Sequence, residues 1–202
     1  MYIEAEEKLH GQIERNGLPL LNKLLDSENF NLTDEEYLVF AHYLMTQYFR
    51  TSRILANTQR GLSERFPGTV ERSMGLLRHM FATTSGFTLY AERHTTMKPV
   101  LLLNKTDVPL ITGDQPVINT LAVDLPDEEM VEHFEAYYPL SPQKALVVGC
   151  RDWFPSGEIS ECAQAQEFNR MIAVAAERQV FGAQKTDLDD ALDLIGRHVA
   201  PR

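Results

Sequence analysis

The spacing of apolar residues changes at Lys98-Pro99, and this change constrains the fold more than any other feature of the 202-residue chain. Before it, apolar residues recur at intervals of three and four, which is typical of helices that share a core. After it, short apolar runs are bounded by turn residues, as strands are. Helical spacing returns from Ser160. Helices, then strands, then helices predict a predominantly helical α+β fold rather than alternating βαβ units.

The first part of the chain, residues 1–97, is predicted to contain a long helical hairpin. Thr33 and Glu36 have the spacing of a capping box, and the helix that they begin is expected to reach Phe66. A second helix is expected over residues 67–95, antiparallel to the first. Small residues near its end permit close approach of the two helices.

Both ends of the chain are also predicted to be helical. Residues 1–31 are expected to form one or two short helices, interrupted near Asn16-Gly17-Leu18-Pro19 by a C-cap glycine and a helix-starting proline. Another helix is expected from Ser160. Thr186-Asp187-Leu188-Asp189 is predicted to cap a last short helix that ends near His198.

The middle part, residues 98–157, is predicted to form a small, mainly antiparallel β insert. The acidic stretch from Asp124 to Glu135 is expected to be a loop or a short solvated helix. We take residues 1–202 as a single domain, in which the C-terminal helices of residues 158–202 pack back on the first part. The predicted strands are Val100–Leu103, Pro109–Thr112, Val117–Val123 and Lys144–Gly149.

The net charge of −10 argues against broad nucleic-acid binding. Its distribution is uneven, because residues 46–81 hold six arginines against two glutamates. A nucleic-acid contact through this Arg50–Arg78 basic stretch is therefore an alternative, but pairing of these arginines with the acidic remainder of the molecule is favoured. A protein is the more plausible partner. The arginines are Arg50, Arg53, Arg60, Arg65, Arg72 and Arg78.

The sequence predicts a cytoplasmic protein that does not cross a membrane. No apolar run approaches the roughly 20 residues that span a bilayer. The acidic start, Met1–Glu7, lacks the basic-then-apolar order of a secretion signal. Cys150 and Cys162 have no metal-binding or redox spacing and no apparent reason to pair, which indicates a reducing compartment.

Common signatures of cofactor binding and catalysis are missing, so we predict no cofactor and no metal. The chain contains no GxGxxG, P-loop, GxSxG or HExxH string. His42 and His79 are expected to meet across the hairpin, where ordinary packing explains them better than a metal site does. The acidic residues from Asp187 to Asp193 are explained by helix capping and the helix dipole.

The first candidate site is Gln47-Tyr48-Phe49-Arg50-Thr51. Gln47 and Arg50 lie three positions apart and are expected to share a helix face, where either side chain is a candidate binding residue. An arginine in so apolar a helix needs a carboxylate partner, because a buried unpaired charge is costly. A structural brace between arginine and carboxylate is the alternative.

The second candidate is Gly113-Asp114-Gln115-Pro116, at the end of a predicted strand. Gly113 permits unusual backbone dihedrals, Asp114 accepts hydrogen bonds from turn backbone, and Pro116 keeps Gln115 extended. A turn therefore explains the string. In the functional alternative, Asp114 is a catalytic base or ligand and Gln115 a binding residue.

The third candidate joins Tyr138-Pro139-Leu140-Ser141-Pro142 to Asn169. The prolines are expected to make a stiff extended element that leads into the strand at Lys144. Asn169, among apolar helix residues, is predicted to hydrogen-bond a loop backbone, and it is a candidate binding residue. Ser141 has no recognisable base and is not expected to be a nucleophile.

Four motifs follow one another along the chain: Gln47–Thr51, Ile111–Val117, Tyr138–Pro142, and Asn169 with Ala176-Glu177-Arg178. In this order they resemble the motifs of the bacterial domain-of-unknown-function family 4238. The resemblance covers residues 35–182. It implies a mainly bacterial, cytoplasmic protein of unassigned activity and brings no established catalytic residues.

Two departures from the family pattern affect the expected site. The family commonly has Ser-Asp-Asn-Pro where this chain has Gly113-Asp114-Gln115-Pro116, which puts any role of the asparagine in doubt. An N-terminal His-Tyr-x-Pro pattern is also absent. We therefore expect a shortened member of the family, with a fragment, or a member that lacks half of a composite site, as the alternatives.

Two functions remain open at this point. The first is a binding, interaction or regulatory module, including a defence-associated one, in which Arg50 and Asp114 are braces. The second is a hydrolase acting on a phosphate-containing or nucleic-acid substrate. There Asp114 is the base or ligand, Arg50 contacts the anion, and Gln47 and Asn169 position the substrate. The second hypothesis predicts that these four residues converge around an open cleft.

Overall fold

The computed structural model describes residues 2–26, 32–66, 70–93, 96–125, 131, 133–149 and 157–196. The chain divides into two compact units, Met1–Thr95 and Thr96–Arg202. The first consists of helices. The second combines short strands with one longer helix, so the predicted α+β class is confirmed.

Four helices form the first unit, and the predicted capping box begins the second of them. The Glu36 N–H donates to Thr33 Oγ1 at 3.2 Å, and the Thr33 N–H donates to Glu36 Oε2 at 2.9 Å. The helices are α1 (Tyr2–Asp26), α2 (Asp34–Phe49), α3 (Ser52–Arg65) and α4 (Val70–Arg93).

Two predicted helix boundaries in this unit are wrong. Helix α1 continues through Gly17 and Pro19. A Cβ on Gly17 would overlap the ring of Tyr43, so this glycine permits close packing and does not end the helix. The expected long helix instead ends at Phe49. The Thr51 hydroxyl donates to the Tyr48 carbonyl at 3.0 Å, which favours a break because it competes with the helical pattern.

The predicted antiparallel hairpin is formed mainly by α2 and α4. Tyr37 meets Tyr90 near one end, and Phe49 stacks on Phe81 near the other, with ring centroids 6.0 and 6.1 Å apart. Gly86 lies between them, where a Cβ would come within 2.8 Å of a backbone carbon of α2. The expectation that small residues permit close helix approach is therefore confirmed.

The second unit is built on a five-stranded sheet with the order β3-β4-β5-β1-β6. Every pairing in it is antiparallel except that of β1 with β6. A separate antiparallel pair joins β2 and β7. The strands are β1 (Lys98–Asn104), β2 (Thr112–Gly113), β3 (Ile118–Asn119), β4 (Ala136–Ser141), β5 (Lys144–Gly149), β6 (Glu158–Ile159) and β7 (Val180–Phe181).

The strand predictions are partly correct. Strands β1 and β5 are confirmed. The other two predicted strands are replaced by the shorter strands β2 and β3. Strand β3 ends early because the chain turns after Asn119, where the Ala122 N–H donates to the Asn119 carbonyl. Strand β4 was expected only as an extended element, since Pro139 gives no ladder N–H. It pairs with β5 through an irregularity between Pro139 and Ser141.

Helix α5 (Cys162–Ala175) belongs to the second unit, and the packing of residues 158–202 on the first part stays a prediction. Its apolar side contributes Phe168 and Ile172 to a core shared with the sheet, and Phe168 stacks on Tyr137 at 4.2 Å. The expected last helix to His198 is wrong over its described part. Two short 3-10 turns, Lys185–Leu188 and Leu192–Leu194, stand in its place.

Among the residues that the structure describes, no helix combines the length and apolar character needed to cross a membrane.

Candidate functional site

The Asp114 carboxylate accepts three backbone hydrogen bonds from the turn that follows α5. Its Oδ1 accepts from the Glu177 N–H at 2.9 Å. Its Oδ2 accepts from the Arg178 N–H at 2.8 Å and from the Gln179 N–H at 3.1 Å. The Asp114 N–H in turn donates to the Gln179 carbonyl at 3.0 Å. The predicted hydrogen bonding of Asp114 to turn backbone is thus confirmed, and the turn comes from a distant part of the chain.

Successive backbone N–H groups that point to one side form a concave site for an anion. Here the chain supplies the anion itself. A carboxylate offers about four lone-pair positions, and three of those on Asp114 are in use. Asp114 is half-buried, which strengthens these charge-assisted bonds relative to solvent-exposed ones. The group is therefore well placed as a brace and poorly placed as a base.

Gly113 allows this arrangement by bringing two backbone segments together. A Cβ at this position would lie 3.2 Å from the Gln179 carbonyl oxygen and 3.3 Å from the Ala176 Cβ. Both contacts are tighter than ordinary packing. The glycine that departs from the family pattern thus suits the close pairing of β2 with β7.

Asn169 fastens the preceding part of the same segment to α5. Its Oδ1 accepts from the Ile111 N–H at 3.0 Å, and its Nδ2 donates to the Pro109 carbonyl at 2.8 Å. The prediction that Asn169 hydrogen-bonds a loop backbone is confirmed. Together, Asn169 and Asp114 hold residues 109–114 against α5 and the turn beyond it. We call these two side chains, with their backbone partners, the clamp.

Gln115 is buried beside the clamp, and its Nε2 donates to the Val117 carbonyl at 2.7 Å. This bond bridges Pro116 and tightens the turn. The turn interpretation of Gly113-Asp114-Gln115-Pro116 accounts for all four residues. A binding role for Gln115 stays a prediction.

Gln47 and Arg50 lie in the first unit, and they do not share an environment. Gln47 is buried in α2, whereas Arg50 follows the helix end and is exposed. The Arg50 Nη1 donates to Glu14 Oε1 on α1 at 2.6 Å. The expected carboxylate partner of Arg50 is therefore present, but the expectation of a buried pair on a continuous helix face is wrong.

Arginines in the described part of the basic stretch are bonded to other side chains. Arg50 pairs with Glu14, and the Arg60 Nη2 donates to Asn57 Oδ1 at 3.1 Å. The side chains of Arg65, Arg72 and Arg78 lie outside the described residues. A nucleic-acid contact through this stretch remains a prediction.

His42 and His79 meet across the hairpin, as predicted. Both Nε2 atoms approach the Thr83 hydroxyl, at 3.2 Å from His42 and 3.5 Å from His79. Burial lowers the pKa of His42, and the neighbouring His79 lowers it further. No group of three or more His, Cys, Asp or Glu side chains suited to a metal occurs in the described ranges.

A buried carboxylate in the second unit is not predicted from the sequence. Glu135 is only 4% exposed, directly before β4. The Thr120 hydroxyl donates to its Oε1 at 2.5 Å, and the Glu135 N–H donates to Asn119 Oδ1 at 3.0 Å. The signal in the sequence is weak, because Glu135 ends an acidic stretch that resembles a solvated loop.

Helix α4 also carries exposed apolar residues that are not predicted from the sequence. The helix buries Met74, Ala82 and Leu89, as an amphipathic helix should. Each of the seven exposed residues of α4 that the structure describes is nevertheless apolar or a threonine. Leu76, Met80 and Phe87 are 49%, 52% and 60% exposed. We call these seven residues the α4 face: Leu76, Met80, Thr83, Thr84, Phe87, Thr88 and Ala91.

A family model described as "Protein of unknown function (DUF4238)" matches residues 4–186. No curated protein and no solved structure matches the chain. The family match spans most of the chain and confirms the resemblance drawn from the ordered motifs. The chain belongs to this family.

Proposed function

We propose that this member of the DUF4238 family is a binding module that recognises a protein through the α4 face. The observation behind the proposal is the composition of that face. Seven exposed residues over four helical turns include three large apolar side chains and no charge. A contiguous apolar patch on the surface of a soluble protein usually marks an interaction site.

The partner is expected to be a protein rather than a nucleic acid. Nucleic acids are held largely through phosphates, which require cationic side chains. The α4 face offers none among its seven residues, and the chain as a whole carries a net charge of −10. If the protein acts only by binding a partner at this face, its role is regulatory.

The clamp weakens the hydrolase alternative. That alternative needs Asp114 as base or ligand, but its oxygens already accept three backbone hydrogen bonds. It also needs Arg50 as an anion contact, and Arg50 is paired with Glu14. The three backbone bonds of Asp114 support a bracing role for this group, and Arg50 forms an exposed ion pair with Glu14.

Site-specific photocrosslinking tests the proposed binding face. Phe87 is replaced by benzoylphenylalanine in the full chain, which is then irradiated in the cells that produce it. The matched control has the same probe at Asn22, an exposed position on α1. We expect a discrete protein adduct at position 87 and none at position 22. Equal labelling at both positions, or none at either, contradicts the proposal.

We infer further that the protein acts in the bacterial cytoplasm. Cys162 is an exposed free thiol at the start of α5. Exposed free thiols persist in reducing compartments. Fractionation of the producing cells checks this inference, and recovery of the chain in an extracellular fraction contradicts it.

A further inference from the structure

After α5, the chain forms a loop that closes on itself. The Gly196 N–H donates to the Ala176 carbonyl at 3.1 Å, so residues 177–196 leave the end of the helix and return to it. Gly196 closes the loop with a positive φ of 71°, a conformation that glycine adopts readily. Compact surface loops whose ends are close together are often functional. We call residues 177–196 the strap.

The strap has internal contacts of its own. The Gln184 N–H donates to Asp187 Oδ2 at 2.8 Å, and the Asp187 N–H donates to the Gln184 carbonyl at 3.2 Å. The Ala191 N–H donates to the Leu188 carbonyl at 2.9 Å. Leu188 also packs inside the strap, where its Cδ2 lies 3.0 Å from the position of a Cβ on Gly182. These contacts allow the strap to move as one body.

The strap is attached to the rest of the second unit at few places. Asp114 accepts hydrogen bonds from three of its amides, and β7 pairs with β2. Val180 and Ala191 are its only buried residues, and most of the others are exposed. Both buried residues belong to the core that α5 shares with the sheet. Three further apolar side chains are partly buried against that core: Leu188, Leu194 and Ile195.

Segments with few buried apolar residues and much exposed backbone open at a lower free energy than the core of a protein does. We propose that the strap opens and closes as one cooperative unit while the five-stranded sheet stays folded, and that Asp114 is its latch. Opening separates β7 from β2 and removes Val180 and Ala191 from the core, so it exposes the apolar residues around them. The proposal concerns the second unit alone and is independent of the α4 face.

Asp114 is suited to be the latch because all three of its side-chain bonds reach one short segment. Displacement of this single carboxylate releases the amides of residues 177–179 together. What then holds the strap is the two-residue β2–β7 pair, the closing bond and its apolar contacts. Asn169 acts differently. Its partners, Pro109 and Ile111, lie outside the strap, so this half of the clamp stays formed when the strap opens.

Amide hydrogen exchange of the full chain, measured residue by residue by NMR, tests the proposal. The reporters are the amides of Asp114, Gln179, Ala191 and Gly196, each of which donates a hydrogen bond. We expect their protection factors to agree within about threefold, because one opening event exposes all four. They should lie at least about tenfold below the protection factors of the β1–β5 ladder, which the opening leaves intact.

Asp114→Asn weakens the latch. We expect exchange at Ala191 and Gly196, whose amides do not bond to Asp114, to accelerate about 30-fold or more together with exchange at Gln179. Asp189→Asn is the matched control, because it makes the same change at an exposed position within the strap. It should leave exchange at the reporters within about twofold.

Gly196→Ala tests the opposite end of the strap and does not depend on the folding of the Asp114 variant. Alanine disfavours the positive φ at this position, so the closing turn is strained in the folded protein. We expect exchange at Asp114 and Gln179 to accelerate about fivefold.

Val148→Ala distinguishes opening of the strap from unfolding of the whole unit. Val148 is fully buried in β5, but it does not belong to the core cluster that contains Val180 and Ala191. Its truncation should accelerate exchange in the β1–β5 ladder about tenfold or more. The reporters of the strap should stay within about twofold, because the sheet is folded in both the closed and the open form.

Reporters that accelerate together with the ladder in Val148→Ala overturn the proposal, because the strap then opens only when the unit unfolds. Equal protection of the strap and the ladder in the unsubstituted chain has the same meaning. An effect of Asp114→Asn that is confined to residues 177–179 also overturns it, since the strap is then not cooperative.

Discussion

Asp114 and Gln179 are joined by two hydrogen bonds that run in opposite directions. The Asp114 N–H donates to the Gln179 carbonyl at 3.0 Å, and the Gln179 N–H donates to Asp114 Oδ2 at 3.1 Å. The two residues are 65 positions apart in the chain. This reciprocal pair extends the short β2–β7 ladder by one residue and uses a side chain where a longer strand would use backbone.

Replacing Asp114 with asparagine should destabilise the second unit. The amide retains one acceptor oxygen and turns an NH2 group towards backbone N–H donors, so charge-assisted bonds are lost and donors face each other. We expect the free energy of unfolding to fall by about 2–4 kcal/mol. Urea denaturation followed by circular dichroism measures the change.

The control for this substitution is Asp107→Asn, at an exposed position of the same unit. It should change the free energy of unfolding by no more than about 0.5 kcal/mol. If Asp114→Asn is as mild as its control, the carboxylate is not a structural brace and the hydrolase hypothesis regains its base.

Asn169→Asp tests the other half of the clamp. Aspartate keeps an acceptor for the Ile111 N–H but loses the donor to the Pro109 carbonyl, against which it places a negative charge. We expect a loss of about 2–3 kcal/mol in the free energy of unfolding. Gln166→Glu, an exposed change of the same kind on α5, should have little effect. Equal stability of the two variants would falsify the assigned bonds.

The sequence predicts that each clamp residue hydrogen-bonds to backbone, but it does not predict which segment of the chain supplies that backbone. Asp114 and Asn169 stand out as polar residues beside apolar runs; Asp114 is expected to accept hydrogen bonds from turn backbone, and Asn169 to hydrogen-bond a loop backbone. Their partners, 58 to 65 positions away, depend on how α5 packs on the sheet. No local pattern encodes that packing. Arg50 shows the same limit, because Glu14 is one of many acidic residues that a guanidinium can reach.

Tyr137→Phe is expected to be neutral or stabilising. The Tyr137 hydroxyl is fully buried and has no hydrogen-bond partner among the described residues, and burial raises the pKa of Tyr137 above its usual range. Removing an unsatisfied hydroxyl while keeping the ring stacked on Phe168 should add up to about 1 kcal/mol. Tyr137→Ala, which removes the ring, should cost about 3–5 kcal/mol. Thermal unfolding of both variants separates the two contributions.

Two glycines in the first unit should respond to alanine with opposite signs. At Gly86 the added methyl meets backbone of α2 at 2.8 Å, so the helices must separate; we expect a loss of about 1–3 kcal/mol. At Gly61 nothing lies within 4 Å, and the higher helix propensity of alanine should add about 0.5–1 kcal/mol. Chemical denaturation of the two variants provides the comparison. A stabilising Gly86→Ala would show that α2 and α4 are not in close contact.

Helix boundaries show where local rules succeed and where packing overrides them. Thr33 and Glu36 cap α2 through bonds that span three residues, so their spacing alone predicts the start of the helix. Gly17 has the local pattern of a helix end, but the Tyr43 ring packs where its side chain would be, and the helix continues. The exposed apolar residues of α4 are not predicted for a related reason. An apolar stripe normally indicates a buried face, and the sequence does not show how many other elements pack against the helix.

The first unit should lose stability as pH falls below about 6.5, the ordinary pKa of histidine. Burial and the neighbouring His79 lower the pKa of His42 in the folded state, so the unfolded chain takes up the proton first. The stability difference therefore grows from the unfolded pKa downwards until the folded pKa is passed. His42→Gln should flatten this dependence in urea denaturation followed from about pH 7.5 downwards, with the unsubstituted chain as the reference.

The clamp also sets an order of events during translation. The helices α1–α4 can assemble once residue 95 has left the ribosome, and strands β1, β4 and β5 are complete at Gly149. The turn at 177–179 and strand β7 emerge about 30 residues later, roughly 2 to 6 seconds at ordinary rates of synthesis. For that interval, the nascent sheet presents Leu102, Tyr137 and Val147 without the residues of α5 that cover them in the finished unit. Premature termination between residues 149 and 162, after β5 and before α5, should therefore leave an aggregation-prone product.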